Sequence, residues 1–148
     1  MGIWLPGKAA KTGAAYVGIS PGSWPRQLKS SDLTTALLAP EDGALTGSSV
    51  AAFRHLGGDT YGRFAVGAPG VDTEIADEGA AFVADAELIL EPSVPVLLTQ
   101  QTPPPILSVL FGDDGLFGAE RVGETMSAIG SVNGDGLTDL AIGIPGYE

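Results

Sequence analysis

The 148-residue sequence predicts an all-β protein, and three observations carry that prediction. Small and apolar residues alternate over short runs, without the spacing of a helical face. Glycines and prolines, 22 and 11 in number, bound those runs. Together they make up roughly a fifth of the chain, which fits short strands joined by tight turns and stays below the level of low-complexity sequence. The runs also recur in the same order, the mark of a repeat architecture. A hydrophobic content of 44% argues against disorder.

The elements follow in chain order. Ile3-Trp4-Leu5-Pro6-Gly7 is a worn copy of a turn that stands intact as Val66-Gly67-Ala68-Pro69-Gly70 and again as Ile142-Gly143-Ile144-Pro145-Gly146. Gly13-Ala14-Ala15-Tyr16-Val17 matches Gly79-Ala80-Ala81-Phe82-Val83, and Gly47-Ser48-Ser49-Val50-Ala51 matches Gly123-Glu124-Thr125-Met126-Ser127. Strands are expected at Ser49 to Phe53, Phe64 to Ala68 and Ala80 to Val83. Ser30 to Leu38 is the best helical candidate, since Ser31 and Asp32 resemble a cap, but Pro40 cuts it after barely two turns. Between Leu88 and Leu110 lie two apolar runs, Leu88-Ile89-Leu90 and Val96-Leu97-Leu98, followed by Pro103-Pro104-Pro105. Three prolines remove ladder donors, so that triplet reads as a rigid extended connector outside any central strand.

Composition excludes several functions. Seven Lys and Arg against 18 Asp and Glu leave a formal charge of −11, and the basic residues are scattered, so no basic face exists for nucleic acid. With no cysteine, disulfides, thiol catalysis and thiolate zinc sites drop out together, although the redox compartment stays open. Oxygen-rich metal sites remain. No run approaches the ~18 apolar residues of a membrane helix, and the start Met1-Gly2-Ile3-Trp4-Leu5-Pro6 lacks the basic and apolar regions of a signal peptide. Length alone points to a single domain.

The order Val122-Gly123-Glu124-Thr125-Met126-Ser127-Ala128, then Asn133-Gly134-Asp135-Gly136-Leu137-Thr138-Asp139-Leu140-Ala141-Ile142-Gly143-Ile144-Pro145-Gly146, resembles an FG-GAP repeat, the blade unit of the integrin α-subunit β-propeller and its bacterial relatives. The resemblance covers roughly two units from about Trp4 onward, with the middle of each connector unmatched. It implies β-propeller blades, each a four-stranded antiparallel sheet.

The run from Ser131 to Asp139 holds the one site with chemistry. Oxygen-bearing side chains fall at loop positions one, three, five and nine: Ser131, Asn133, Asp135 and Asp139. A hard cation such as Ca2+ takes six to eight oxygens at ~2.3 to 2.6 Å, and Gly134 and Gly136 permit the curl that turns such residues onto one centre. Leu137 would add its backbone carbonyl. An EF-hand would need a bidentate acid at position twelve, where this chain has Ile142 in a strand-like run. The FG-GAP family usually places aspartate at the first position; Ser131 removes that charge and lowers the expected affinity. The alternative is an Asx-rich turn whose side chains bond their own backbone without a metal.

Aligned on the Pro-Gly turn, the preceding unit carries His55, Gly57, Asp59, Tyr61 and Arg63 at the same five positions and is not expected to bind calcium. Arg63 near Asp59 either supplies the cation's charge or is a solvated loop residue. His55, the sole histidine, is read as a loop residue of that degenerate site. Tyr16 and Phe82 are expected to pack between blades. Trp4 either fills an interface gap or packs in a core, Trp24 is unplaced, and Lys8 and Lys11 are read as solvated.

The prolines of the repeated turn stand at 6, 69 and 145, giving periods of 63 and 76 residues. A propeller needs roughly four to eight blades, so two cannot close a ring. The domain reading assigns residues 1–32 to the later strands of a blade begun elsewhere, 33–105 to a second unit with the degenerate loop, and 106–148 to the first strands of a third. Head and tail are complementary in this scheme. A homo-oligomeric ring of three or four chains is expected, with a complementary propeller fragment as the rival partner. The functional expectation is a non-catalytic, calcium-binding module for protein interaction, adhesion or assembly, outside the cell or at its surface, with a lectin-like glycan binder as alternative. An enzyme is disfavoured: Asp113 and Asp114 are adjacent, and adjacency turns carboxylates apart.

Overall fold

The computed structural model describes residues 12–18, 22, 26–27, 29, 33, 35–39, 41–54, 62–72, 78–86, 96–97, 106–112 and 119–146. Among them lie nine strands and no α-helix: β1 (Ala15–Val17), β2 (Thr35–Leu38), β3 (Val50–Phe53), β4 (Arg63–Ala68), β5 (Ala80–Asp85), β6 (Val96–Leu97), β7 (Ile106–Phe111), β8 (Thr125–Gly130) and β9 (Asp139–Gly143). The all-β expectation holds, and Thr35–Leu38, the end of the run it offered to a helix, is a strand. Pro40 leaves too short a run to offset the cost of helix nucleation. Pairing with β1, as Ala15↔Leu37 and Val17↔Thr35, instead leaves the Leu37 side chain fully buried.

Three sheets result. The middle one is four-stranded and antiparallel throughout, in the order β3-β4-β5-β7, and has the form of a propeller blade. Val50 pairs with Val66, and Val66 in turn with Phe82. Ahead of it stands a three-stranded sheet, β1-β2-β6, in which β2 and β6 run parallel. After it comes the two-stranded hairpin β8-β9.

Strand membership moves both unit boundaries drawn from the sequence. Ile106–Phe111 is the outer strand of the middle sheet, pairing Phe82↔Val109 and Ala80↔Phe111, so that sheet continues past residue 105. Thr35–Leu38 belongs with β1 and not with the second unit. The reason is common to both: a strand joins whichever neighbour offers a free ladder edge, and that neighbour is fixed by packing, not by the period of the turns.

The repeat is exact enough in space to be followed bond by bond. The Gly47 N–H donates to the Gly67 carbonyl at 2.8 Å, and 76 residues on the Gly123 N–H donates to Gly143 at 3.2 Å. Gly70 N–H to the Ala44 carbonyl, 3.1 Å, returns as Gly146 to Glu120, also 3.1 Å. Parallel bridges Gly13↔Thr46 and Gly79↔Val122 join each sheet to the next. Even the backbone conformation is copied: Leu45 and Arg121, neither a glycine, sit at φ 54° and 59°. A left-handed backbone at such residues costs of order 1–2 kcal/mol each and persists because the junction around it is over-determined.

The core runs between the first two sheets, joining Ala15, Leu37 and Ala39 to Val66, Ala68 and Phe82. Small residues let the sheets approach, and Phe82 fills the space they leave, meeting Phe111 edge to face with ring centroids 6.4 Å apart. Phe82 thus packs between sheets as expected. Tyr16, its repeat equivalent, does not: it is 47% exposed, because among the described residues no sheet lies against its face of β1.

Several residues singled out in the sequence lie outside the described set: the Ile3 to Gly7 turn with Trp4, then Lys8, Lys11 and Trp24, the loop positions His55, Gly57, Asp59 and Tyr61, Pro103 to Pro105, and Asp113 with Asp114.

Candidate metal centre

The loop joining β8 to β9 gathers four of the five residues that the sequence proposes as ligands. Gly130, Gly134 and Gly136 all take positive φ, between 74° and 82°, which a residue with a Cβ adopts only with strain, and these three points bend nine residues back on themselves. The side chains follow the curl inward. Asn133 Oδ1 accepts from the Asp135 N–H at 3.0 Å, and Asp135 Oδ1 accepts from the Leu137 N–H at 2.7 Å, two successive Asx turns. Ser131 Oγ lies 3.4 Å from Asn133 Oδ1 and 3.2 Å from Asp135 Oδ1, and also accepts from the Gly136 N–H at 3.0 Å. Asp139 reaches back from the first position of β9 to bond the Val132 N–H at 2.8 Å, which ties the end of the loop to its beginning.

The arrangement is the Asx-rich turn expected of these residues without a metal. It is also a convergence of hard oxygens: Ser131, Asn133 and Asp135 stand within hydrogen-bonding distance of one another although they alternate along the chain. The Asn133 Nδ2 group donates to Asp135 Oδ2 at 2.8 Å, so one carboxylate oxygen is held by an amide N–H and the other by Leu137 and Ser131. Two carboxylates, an amide oxygen and a hydroxyl on an exposed loop suit Ca2+ and no softer ion. The structure therefore brings Ser131, Asn133, Asp135 and Asp139 to one loop. Leu137 enters it through its N–H, and no contact of its carbonyl is described. Among the described residues no three His, Cys, Asp or Glu cluster as a metal site, in this loop or outside it; the loop brings two carboxylates together with an amide oxygen and a hydroxyl.

Of the five aligned positions of the degenerate loop, Arg63 alone is described. It is the first residue of β4, paired with Phe53 on one side and Asp85 on the other, and so belongs to the middle sheet.

Two features escaped the reading of the sequence. One is the junction between the middle sheet and the hairpin: Ser49 Oγ donates to the Gly123 carbonyl at 2.6 Å across 74 residues, and a Cβ on Gly67 would collide with that same carbonyl. The matched blocks at Gly47 and Gly123 contained its signal. The other is the burial of Glu78 and Glu120, 5% and 6% exposed, on either side of Gly112, where a Cβ would meet Glu120 Oε2 and Glu78 Cγ at 2.6 Å. No periodicity marks those two carboxylates as buried.

Comparison with known proteins adds one relationship. The chain is 31% identical over 145 residues to integrin alpha-PS5 of Drosophila melanogaster, a match that covers 96% of this chain and 12% of the relative's length. No protein-family model matches the chain. The similarity is distant and integrin-like, and it runs through all three sheets. Among the described residues no helix is long and apolar enough to cross a membrane.

Proposed function

We propose that the chain is a calcium-binding β-propeller segment that serves protein interaction or adhesion outside the cell, without a catalytic role. The convergence of Ser131, Asn133 and Asp135 oxygens in a loop that opens a blade is the observation that carries this reading. Ser131, Asn133, Asp135 and Asp139 would hold the ion through side-chain oxygens and Leu137 through its carbonyl. The ion would supply positive charge against two carboxylates in a chain of net charge −11 and lock β8 to β9. Similarity to an integrin α subunit supports the extracellular, adhesive setting. There, calcium is abundant enough to fill a site whose first position lacks a carboxylate, since extracellular modules bind at about 10⁻⁴ to 10⁻³ M.

Thermal unfolding in millimolar calcium and in chelator tests the reading. Calcium is expected to raise the melting temperature, Asp135→Asn to abolish the increment, and Ser131→Asp to tighten binding by about tenfold by restoring a ligand charge. A melting curve that is the same with calcium and with chelator overturns it.

A further inference from the structure

We infer that Asn133 is a site of self-modification, at which the Asn133-Gly134 peptide closes to a succinimide, releases ammonia and opens in water to aspartate or isoaspartate. Asn133 is the chain's one asparagine, and it is followed by glycine, the residue that least crowds an attacking backbone nitrogen. Both are exposed. The loop contains a second bond of the same kind, Asp135-Gly136, so residue order alone offers two sites. Hydrogen bonding separates them. Among the described residues the Gly134 N–H has no hydrogen-bond partner, and nothing beyond its chain neighbours lies within 4 Å of where a Cβ on Gly134 would stand. The Gly136 N–H, by contrast, donates to Ser131 Oγ at 3.0 Å, and the group it would attack is a carboxylate, a poorer electrophile than an amide.

The loop also polarises the group that is attacked. Asn133 Oδ1 accepts from the Asp135 N–H at 3.0 Å, so a donor already stands where negative charge develops as the tetrahedral carbon forms. The Gly134 nitrogen gives its proton to solvent and bonds to Asn133 Cγ; the Cγ–Nδ2 bond breaks, and the amide nitrogen takes a proton from water and leaves as ammonia. Water then opens the ring. Addition at Cγ gives an aspartate side chain at position 133, and addition at the main-chain carbonyl gives isoaspartate, with an extra methylene in the backbone. The consequence for the ion rests on the calcium reading above. Asn133 Nδ2 donates to Asp135 Oδ2 at 2.8 Å, and conversion replaces that donor with a second carboxylate facing the first. Without a cation the two repel; with one, they become two charged ligands. The aspartate product therefore returns to the loop the charge that Ser131 lacks, whereas the isoaspartate product lengthens the backbone between the ligands.

Peptide mapping by mass spectrometry, on the full chain aged in chelator at neutral pH and body temperature, tests the site. The amide-to-acid mass gain is expected on the Asn133 peptide, with ammonia released in step, at a rate no more than about tenfold below that of a free peptide of residues 131–139. Asn133→Gln, whose longer side chain closes a ring far more slowly, is expected to lose the gain. Enzymatic methylation of isoaspartate is expected to label position 133 and not Asp135, and Ser131→Ala, which frees the Gly136 N–H, to bring label to Asp135. A folded chain that stays unmodified while the free peptide reacts overturns the proposal, as does label at Asp135 equal to that at position 133. Calcium is read separately: the aspartate form, or Asn133→Asp, is expected to bind about tenfold tighter than the unmodified chain. A modified chain indifferent to calcium refutes the calcium reading and the consequence drawn from it, and the modification site then stands on the mass gain alone.

Discussion

The turns Val66-Gly67-Ala68-Pro69-Gly70 and Ile142-Gly143-Ile144-Pro145-Gly146 are nearly one sequence with two fates. In the middle blade Val66 is 2% exposed and Ala68 fully buried. In the hairpin Ile142 and Ile144 are half-buried and Ala141 is exposed. Backbone bonds are the same in both, down to the glycine-to-glycine bond across the first two strands. What differs is the neighbourhood: β4 has β3 and β5 beside it and sheets against both faces, whereas β9 has β8 alone. Strand pairing is a local property of the repeat, and burial is a property of the stack.

The widest separation between the two regions is expected from core truncation. Phe82→Ala should cost about 3–5 kcal/mol, because the ring fills the contact between sheets and its removal leaves a cavity. Ile142→Ala, half-exposed, should cost about half as much. Urea unfolding of both variants measures the gap, and equal costs would break the comparison. A medium effect is expected from closing the glycine gap. Gly67→Ala forces a methyl into the Gly123 carbonyl and should cost about 1–3 kcal/mol, whereas at Gly143 the added methyl meets chiefly the rotatable Thr125 hydroxyl and should cost under about 1. Smallest is Ser49→Ala, which removes one hydroxyl bond to the Gly123 carbonyl and should cost about 1 kcal/mol. Double-mutant combination with Gly67→Ala should be non-additive, since both act on that one carbonyl.

Much of this was legible from residue order. The repeated blocks located β1, β3, β4, β5, β8 and β9, and the alternating oxygens of residues 131–139 located the candidate metal loop. The turn residues did the marking: a glycine at positive φ or an aspartate accepting the N–H two residues ahead acts within its own turn. The β2 and β7 memberships were not legible, because Thr35–Leu38 and Ile106–Phe111 carry no block of the repeat and take their place from the free edges of β1 and β5. Tyr16 and Phe82 show the same limit for side chains. They are equivalent in sequence, yet one is exposed and one buried, according to whether a sheet lies over them.

The sequence by itself therefore determined the strand type, the repeated turn, the absence of thiol chemistry and the composition of the oxygen loop, all of which act across a few residues. Tertiary structure alone decided which sheets β2 and β7 join, which apolar residues are buried, and that Ser49 would bond a carbonyl 74 residues away. Those depend on groups brought together only when sheets stack, and stacking follows from surface shape and exclusion of water over many residues at once.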